Sequence, residues 1–408
     1  MIWIIAWKNI WRNKVRSLVV ILAITCGLLG GVFSSAVMKG MGKQRIHEAV
    51  SRETAHIQIH NPKYIEDNEI KYTIDGQASE LTQKLDSILH IKSWSSRIKF
   101  LAMANSANAS TGVMIYGIDP EKEKEVSEIY SMICDSCGTY LSRGKANQVV
   151  VGKAFAEKLK LRLHSKVVLT FQDLEGNLTG AAFRICGLYR TNNLVFDEMN
   201  VFVRKPDIAS LLGVDPGEFQ EVAIRLDDAN RMEGIQKVLK KSYPDLLIRT
   251  WKQVDPLVGI LGDFMDLWLY LFMGIILLAL GFGIINTMLM VILERTRELG
   301  VLTAIGMNKR RVFLMIMLES VYLSLTGALI GMALGYLLTL YTAYTGIDLS
   351  SMTEGFEKIG YSPILYPYLD MKFFITLTIM VILIGILASI YPARKALKLN
   401  PAEAVRTD

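Results

Sequence analysis

Glu294-Arg-Thr-Arg-Glu-Leu-Gly-Val-Leu-Thr-Ala-Ile-Gly-Met-Asn-Lys-Arg-Arg311 is dense in charge, and it follows directly on Leu267–Leu293, which carries none. A helix needs about 20 apolar residues to cross roughly 30 Å of hydrocarbon, and the uncharged stretch exceeds that. A second apolar run begins at once at Val312. The charged segment is too short to be a domain. It is therefore held at the membrane surface between two spans, where a soluble partner can push on it.

Working outward, four runs meet the length criterion for a helix that satisfies its own backbone in lipid: residues 17–38, 267–293, 312–341 and 373–391. They divide the chain into a leading segment (1–16), a large insertion between the first and second spans (39–266), the charged connector (294–311), a short loop (342–372) and a tail (392–408). Lys8, Arg12, Lys14 and Arg16 precede the first span. Arg295, Arg297, Lys309, Arg310 and Arg311 lie in the connector, and Arg394, Lys395, Lys398 and Arg406 follow the last span. The loop 342–372 holds only Lys358 and Lys372 against Asp348, Glu354, Glu357 and Asp370. By the positive-inside rule both termini and the connector are cytoplasmic, and the insertion and short loop are outside. The net charge of +6 follows from this asymmetry and calls for no nucleic-acid partner. The first span has the basic start of a secretory signal, but its length and the three later spans favour an uncleaved anchor.

Trp3, Trp7 and Trp11 recur every four residues, beside a stripe of Lys8, Arg12 and Arg16. That pattern predicts an amphipathic helix at the headgroup level. Ala23, Gly27 and Gly31 in the first span and Gly327, Gly331 and Gly335 in the third form small-residue ridges that let helices approach closely, within one chain or across a dimer. Glu319 is a carboxylate inside a span. It should face protein, and an arginine of the nearby connector should neutralise it.

The insertion has mixed signals. Ala55–His60 and Val222–Leu226 alternate as half-buried strands do, Glu80–Leu89 and Gly152–Leu161 have helical spacing, and Val167–Phe171 with Ala182–Tyr189 flank a polar turn at Gln172–Asn177. An α+β domain is expected, with a membrane-proximal lobe built from both ends and a distal lobe at about 106–215. Of the four cysteines, Cys134 and Cys137 form a Cys-Asp-Ser-Cys motif outside the membrane. A local disulfide is the simplest reading, with unpaired thiols or a redox or metal role as alternatives. The chain has no phosphate-binding G-x-x-x-x-G-K-[ST] loop, no nucleophile elbow and no zinc helix, and its five histidines form no metal pattern. No catalytic residue and no bound cofactor are expected, so any energy must come from another chain.

At Glu294–Gly306 the sequence resembles the coupling segment of the MacB/FtsX/LolC superfamily of ABC permeases. Gly283–Met290, Phe313–Gly335, Tyr391–Ala396, Asn400–Arg406 and Ala6–Arg16 resemble the flanking spans, tail signature and leading helix. Tyr116–Pro120 and Val151–Leu159 resemble parts of the outer domain. The resemblance implies a type VII ABC, MacB-like permease: four transmembrane α-helices with a large α+β periplasmic domain between helices 1 and 2, in a bacterial inner membrane. Two permease subunits, identical or paralogous, would sit over a cytoplasmic ATPase dimer that uses ATP and Mg. Glu294, Arg295, Arg297, Glu298, Gly300, Val301, Ala304 and Gly306 would then form the ATPase-coupling element. The layout, with Phe183–Tyr189 and Phe196-Asp197, looks most like lipoprotein-releasing LolC/LolE subunits, with a lipoprotein substrate and a periplasmic carrier as further partners. The turn Gln172–Ala181 is short beside the carrier-hooking hairpin of the LolC type. In that reading Leu28, Phe33, Phe264, Met265 and Leu269 are candidates to face substrate or lipid. The alternatives are MacB-like export of peptides or drugs with an outer-membrane duct, and FtsX-like regulation of a periplasmic partner.

Overall fold

The computed structural model describes residues 2–12, 14–74, 78–142, 144–215, 217–352, 355 and 360–397. They form two compact units. The first comprises Met1–Gly42, Asp263–Asp348 and Ile364–Asp408; the second comprises Lys43–Gly262 with Leu349–Pro363. The tail signature expected at Asn400–Arg406 lies outside the described residues.

The first unit holds four helices long and apolar enough to cross a membrane. The first-span helix is Lys14–Glu48, the second Pro256–Glu294, the third Lys309–Thr345 and the fourth Met371–Leu397. Each overruns the stretch picked out by hydropathy, because a helix that satisfies its own backbone has no reason to stop where its side chains turn polar. The ridges pack within the chain. A Cβ added at Gly327 would lie 2.9 Å from Ile24, at Gly331 2.8 Å from the Thr25 carbonyl oxygen, and at Gly335 3.0 Å from Val32. Gly27 and Gly31 face Leu280 and Met273 of the second span in the same way. Small residues on both sides of the first-span helix thus let two other helices close on it, and Ile24, Leu28, Val32, Met273 and Met332 fill the core between them.

The second unit is α+β around one ten-stranded sheet. The strands are β1 (Ile57–His60), β2 (Ile91–Asn105), β3 (Ser110–Ile118), β4 (Ile133–Gly138), β5 (Gln148–Gly152), β6 (Lys166–Gln172), β7 (Leu178–Tyr189), β8 (Asn200–Arg204), β9 (Glu221–Leu226) and β10 (Leu247–Thr250). Their order is β10-β1-β9-β2-β3-β8-β5-β7-β4, with β6 pairing β2 and β7. The division between lobes does not fall at residue 106. It falls inside β2, which pairs with β9 through Arg97 and with β3 from Ile98 onward. A 15-residue strand is long enough to serve both lobes, and separate hydrophobic cores form on either side of that point. Alternation along β1 is expected to mark one buried face, but all four of its residues are buried: Ile57 and Ile59 join a hydrophobic core, while Gln58 and His60 are enclosed on the other face, Gln58 donating to the Thr54 carbonyl and His60 stacking on Tyr64. The β6–β7 hairpin turns tightly at Asp173–Asn177, where Asp173 accepts from the backbone N–H groups of Glu175 and Asn177. Cys134 and Cys137 are joined by a disulfide within the edge strand β4.

Candidate functional site: the connector between the second and third spans

The connector begins where the second span ends. The backbone stays helical across the join, with Arg295 N–H donating to the Val291 carbonyl at 3.1 Å. The connector helix is Thr296–Ala304. It stops at Gly306, whose φ of +97° is a conformation that costs glycine little and a side-chain-bearing residue much. Asn308 then caps the third span by accepting from the Arg310 N–H at 3.0 Å. The charged stretch is therefore a short helix that carries on from the second span and ends at the turn around Gly306.

One side of this helix is committed to the chain itself. Glu298 accepts from Arg12 at 2.7 Å and from Arg295 Nε at 2.9 Å. Arg295 reaches on to Glu319 of the third span at 3.2 and 3.3 Å, and Asn9 donates to the same carboxylate at 2.6 Å. Burial pushes the Glu298 carboxyl up, but the bonds from Arg12 and Arg295 outweigh it and hold the group below its ordinary value. Glu298 is expected to belong to the coupling element; in the fold it is also a link in an internal chain, Asn9–Glu319–Arg295–Glu298–Arg12, whose last two members are about half exposed. The amino-terminal helix Ile2–Arg12 brings two of these residues. It buries Ala6 and Ile10, leaves Trp3, Trp7 and Trp11 exposed, and sets Trp7 edge-on to Tyr322 of the third span at 5.6 Å. Leu299 and Gly300 are buried. The other side faces outward: Glu294, Arg297, Val301 and Ile305 are exposed, Ile305 at 80 %. The side chain of Ala304 lies outside the described residues.

The candidates for a lipid-facing surface separate. Leu28 and Leu269 are buried, at 0 and 1 % exposure, because each stands four residues from core neighbours, Ile24 and Val32 in one case and Met273 in the other. They pack helix on helix and do not form an open surface. Phe33 and Met265 are half-buried, and Phe264 is exposed. The open face of the second span is instead Phe264, Trp268, Leu271, Ile275, Leu278 and Phe282. Their spacing of three and four was visible in the sequence, but in an all-apolar helix no polar side marks which stripe is outward. A second ionic cluster also went unread. Lys39 binds Asp266 at 3.2 Å and Asp370 at 2.9 Å, tying the first, second and fourth spans.

Among the described residues no group of three metal-ligating side chains comes together. The architecture is that of a multi-pass membrane protein with an α+β domain inserted after its first span and a short, internally anchored helix after its second. Residues 17–242 match the MacB-like periplasmic core domain, and residues 270–401 match the FtsX-like permease C-terminal region. The chain belongs to the MacB/FtsX/LolC superfamily of ABC transporter permeases. It is 25 % identical over 414 residues to an uncharacterized ABC transporter permease of Methanocaldococcus jannaschii, covering 98 % of this chain and 96 % of that one. It is 20 % identical over 347 residues to the lipoprotein-releasing system transmembrane protein LolE of Haemophilus influenzae, covering 80 % of each. It is 25 % identical over 426 residues to the macrolide export ATP-binding/permease protein MacB of Escherichia coli K12, where it covers 98 % of this chain and 59 % of the relative.

Proposed function

We propose that this permease is the non-catalytic membrane subunit of a mechanotransmission ABC transporter. A separate cytoplasmic ATPase dimer grips the connector helix and, through it, moves the MacB-like domain on the far side of the membrane. The observation that carries this is the two-sidedness of the connector. Its inner side is anchored by the Glu298–Arg295–Glu319 chain, while Arg297, Val301 and Ile305 stand outward at intervals of four. An apolar strip with a basic flank suits an apolar groove with an acidic rim. Force applied there has a continuous route, since Lys14–Glu48 and Pro256–Glu294 are each unbroken through residues of both units. The termini and connector are cytoplasmic in this reading, and the membrane is a bacterial inner membrane. The working unit pairs two permease subunits, this chain with itself or a paralogue.

For substrate we favour lipoprotein release from the membrane. Support comes from the layout shared with LolE and from the open apolar face at Phe264 and its neighbours. Burying acyl chain is worth about 0.8 kcal/mol per CH₂, so extraction requires such a surface together with ATP. The test uses the reconstituted complex with its ATPase. Ile305→Asp and Val301→Asp should abolish ATPase binding while leaving membrane insertion intact. Wild-type binding and stimulated hydrolysis in both variants would reject the connector as the docking element. Impermeant thiol labelling in intact cells should reach Gly176→Cys and spare Asn308→Cys. Mass spectrometry of copurified material should find a lipid-modified protein. Recovery of a soluble peptide or of a wall hydrolase in its place would move the assignment to export or regulation.

A further inference from the structure

The first-span helix does not pass directly into the sheet. After Glu48 it becomes a six-residue π-helix, Ala49–Thr54, and β1 follows at Ile57. Wide turns of this kind are rare and are concentrated at functional positions. Two carboxylates flank and occupy the π-turn. Glu48 accepts from Asn192 at 2.7 Å, and Glu53 accepts from Asn193 at 3.0 Å. Both are backed by arginines: Arg52 stands 3.6 Å from Glu48, and Arg45 binds Glu53 at 3.1 Å. Arg45 and Glu48 are buried.

The two asparagines sit in the loop immediately after β7, and that loop is rigid by construction. Buried Asp197 accepts from the Thr191 N–H at 2.9 Å and from the Thr191 hydroxyl at 2.7 Å, while Asn193 Oδ1 caps the helix Leu194–Met199 by accepting from the Phe196 N–H at 3.1 Å. In the sheet, β1 is next to one edge and β7 is next to the other. The end of the first-span helix is therefore joined to the sheet twice: covalently through β1, and through paired hydrogen bonds to the loop after β7.

We infer that Asn192 and Asn193 are positioning residues that form a brace, carrying displacement of the first-span helix directly to the β7 side of the domain. A single attachment through β1 would let the helix end swing without moving the far lobe. Two attachments, one near each edge, make the sheet follow as a body or flex between them. Charge-assisted hydrogen bonds in a largely buried setting are strong enough and directional enough for this, and a neutral amide donor lets the contact shear without stranding a charge. The inference rests on the permease reading above.

Hydrogen–deuterium exchange on the full-length permease with its ATPase in lipid nanodiscs, with and without ATP and orthovanadate, tests it. In the wild type, ATP should change protection in both Ala49–Thr54 and Arg190–Met199. Asn193→Asp keeps the helix cap but replaces the donor facing Glu53 with a carboxylate. Combined with Asn192→Ser, it should leave the response at Ala49–Thr54 and remove it at Arg190–Met199. Adding Glu53→Gln supplies a donor from the other side and should restore the second response. If the combined variant does not fold, Asn192→Ser alone should weaken the response at Arg190–Met199. An undiminished response there in a folded variant that lacks Glu53→Gln overturns the brace, as does a wild-type response confined to Ala49–Thr54. No ATP-linked change at either segment in the wild type overturns the permease reading itself.

Discussion

Two buried carboxylates, one in each unit, are handled in opposite ways. Glu221 in β9 is fully enclosed. Its register partner Arg97 binds it at 2.7 Å and Lys99 binds it at 3.1 Å, while Arg97 also holds Glu123 at 2.6 Å. Burial pushes Glu221 up, and Lys99 and Arg97 more than reverse this, so it stays ionised far below the ordinary range. Every member of that set is spent on another. Glu319 in the third span is also buried, but its partner Arg295 goes on to Glu298 and then to Arg12, and those last two are about half exposed. A closed cluster fixes one arrangement of strands. A cluster that opens to the surface offers an external partner a grip on buried structure.

The sharpest way to break the contrast is to open the closed set. Arg97→Met should destabilise the inserted domain by about 3–5 kcal/mol, because Glu123 is left buried without its cation and Glu221 keeps only Lys99. Thermal unfolding of the purified protein reads this directly, and an unchanged midpoint would show that the set is not needed. Glu319→Ala should cost less, about 2 kcal/mol, since Arg295 retains Glu298. Its larger signature should be faster proteolysis or exchange within Thr296–Ala304.

The inserted domain can also be probed through pH. His56 accepts the Leu226 N–H on Nδ1 at 3.3 Å, and burial together with neighbouring Arg225 lowers its pKa to about 4. The unfolded chain takes up this proton below about 6.5 and the folded domain resists until near 4, so stability present at neutral pH is lost as pH falls through that interval. Allowing for partial exposure, the loss should be about 1–2 kcal/mol, and His56→Gln should flatten the slope of midpoint against pH between 7 and 5. A slope unaltered by the substitution would remove His56 from the account. The smallest effect on stability belongs to Arg12→Ala. Its pair with Glu298 is exposed, so less than about 1 kcal/mol should be lost. Stimulated ATP hydrolysis should nevertheless fall in the reconstituted complex; retention of both would make the open end of the cluster irrelevant.

Much of this was legible in the chain because membrane spans and strands announce themselves by composition and period. The connector was legible for the same reason: charge cannot hide between two apolar runs. What did not show was pairing and rotation. Glu298 reads as outward on a charged helix and is about half exposed, but only the fold brings Arg12 from 286 residues away to meet it. Leu28 and Leu269 looked no different from Phe264, because in a uniformly apolar helix rotation is set by neighbouring glycines and not by polarity. Asn192 and Asn193 gave no signal at all. A pair of asparagines beside a strand reads as a turn, and their partners lie some 140 residues earlier.

Lys39, Asp266 and Asp370 form a polar cluster near one end of the second span, and Arg295, Glu298 and Arg12 form another at its opposite end. Along the second span, Asp266 and Arg295 are separated by about 44 Å at 1.5 Å per residue, close to the roughly 40–45 Å of a whole bilayer with its headgroups. The two clusters act as the jaws of a caliper. Sliding the second span along its axis by a single turn of about 5.4 Å would pull Asp266 from Lys39 at one end and Arg295 from Glu319 at the other. Piston motion of the second span is thereby opposed at both of its ends, and tilting or turning about its axis is the movement left to it.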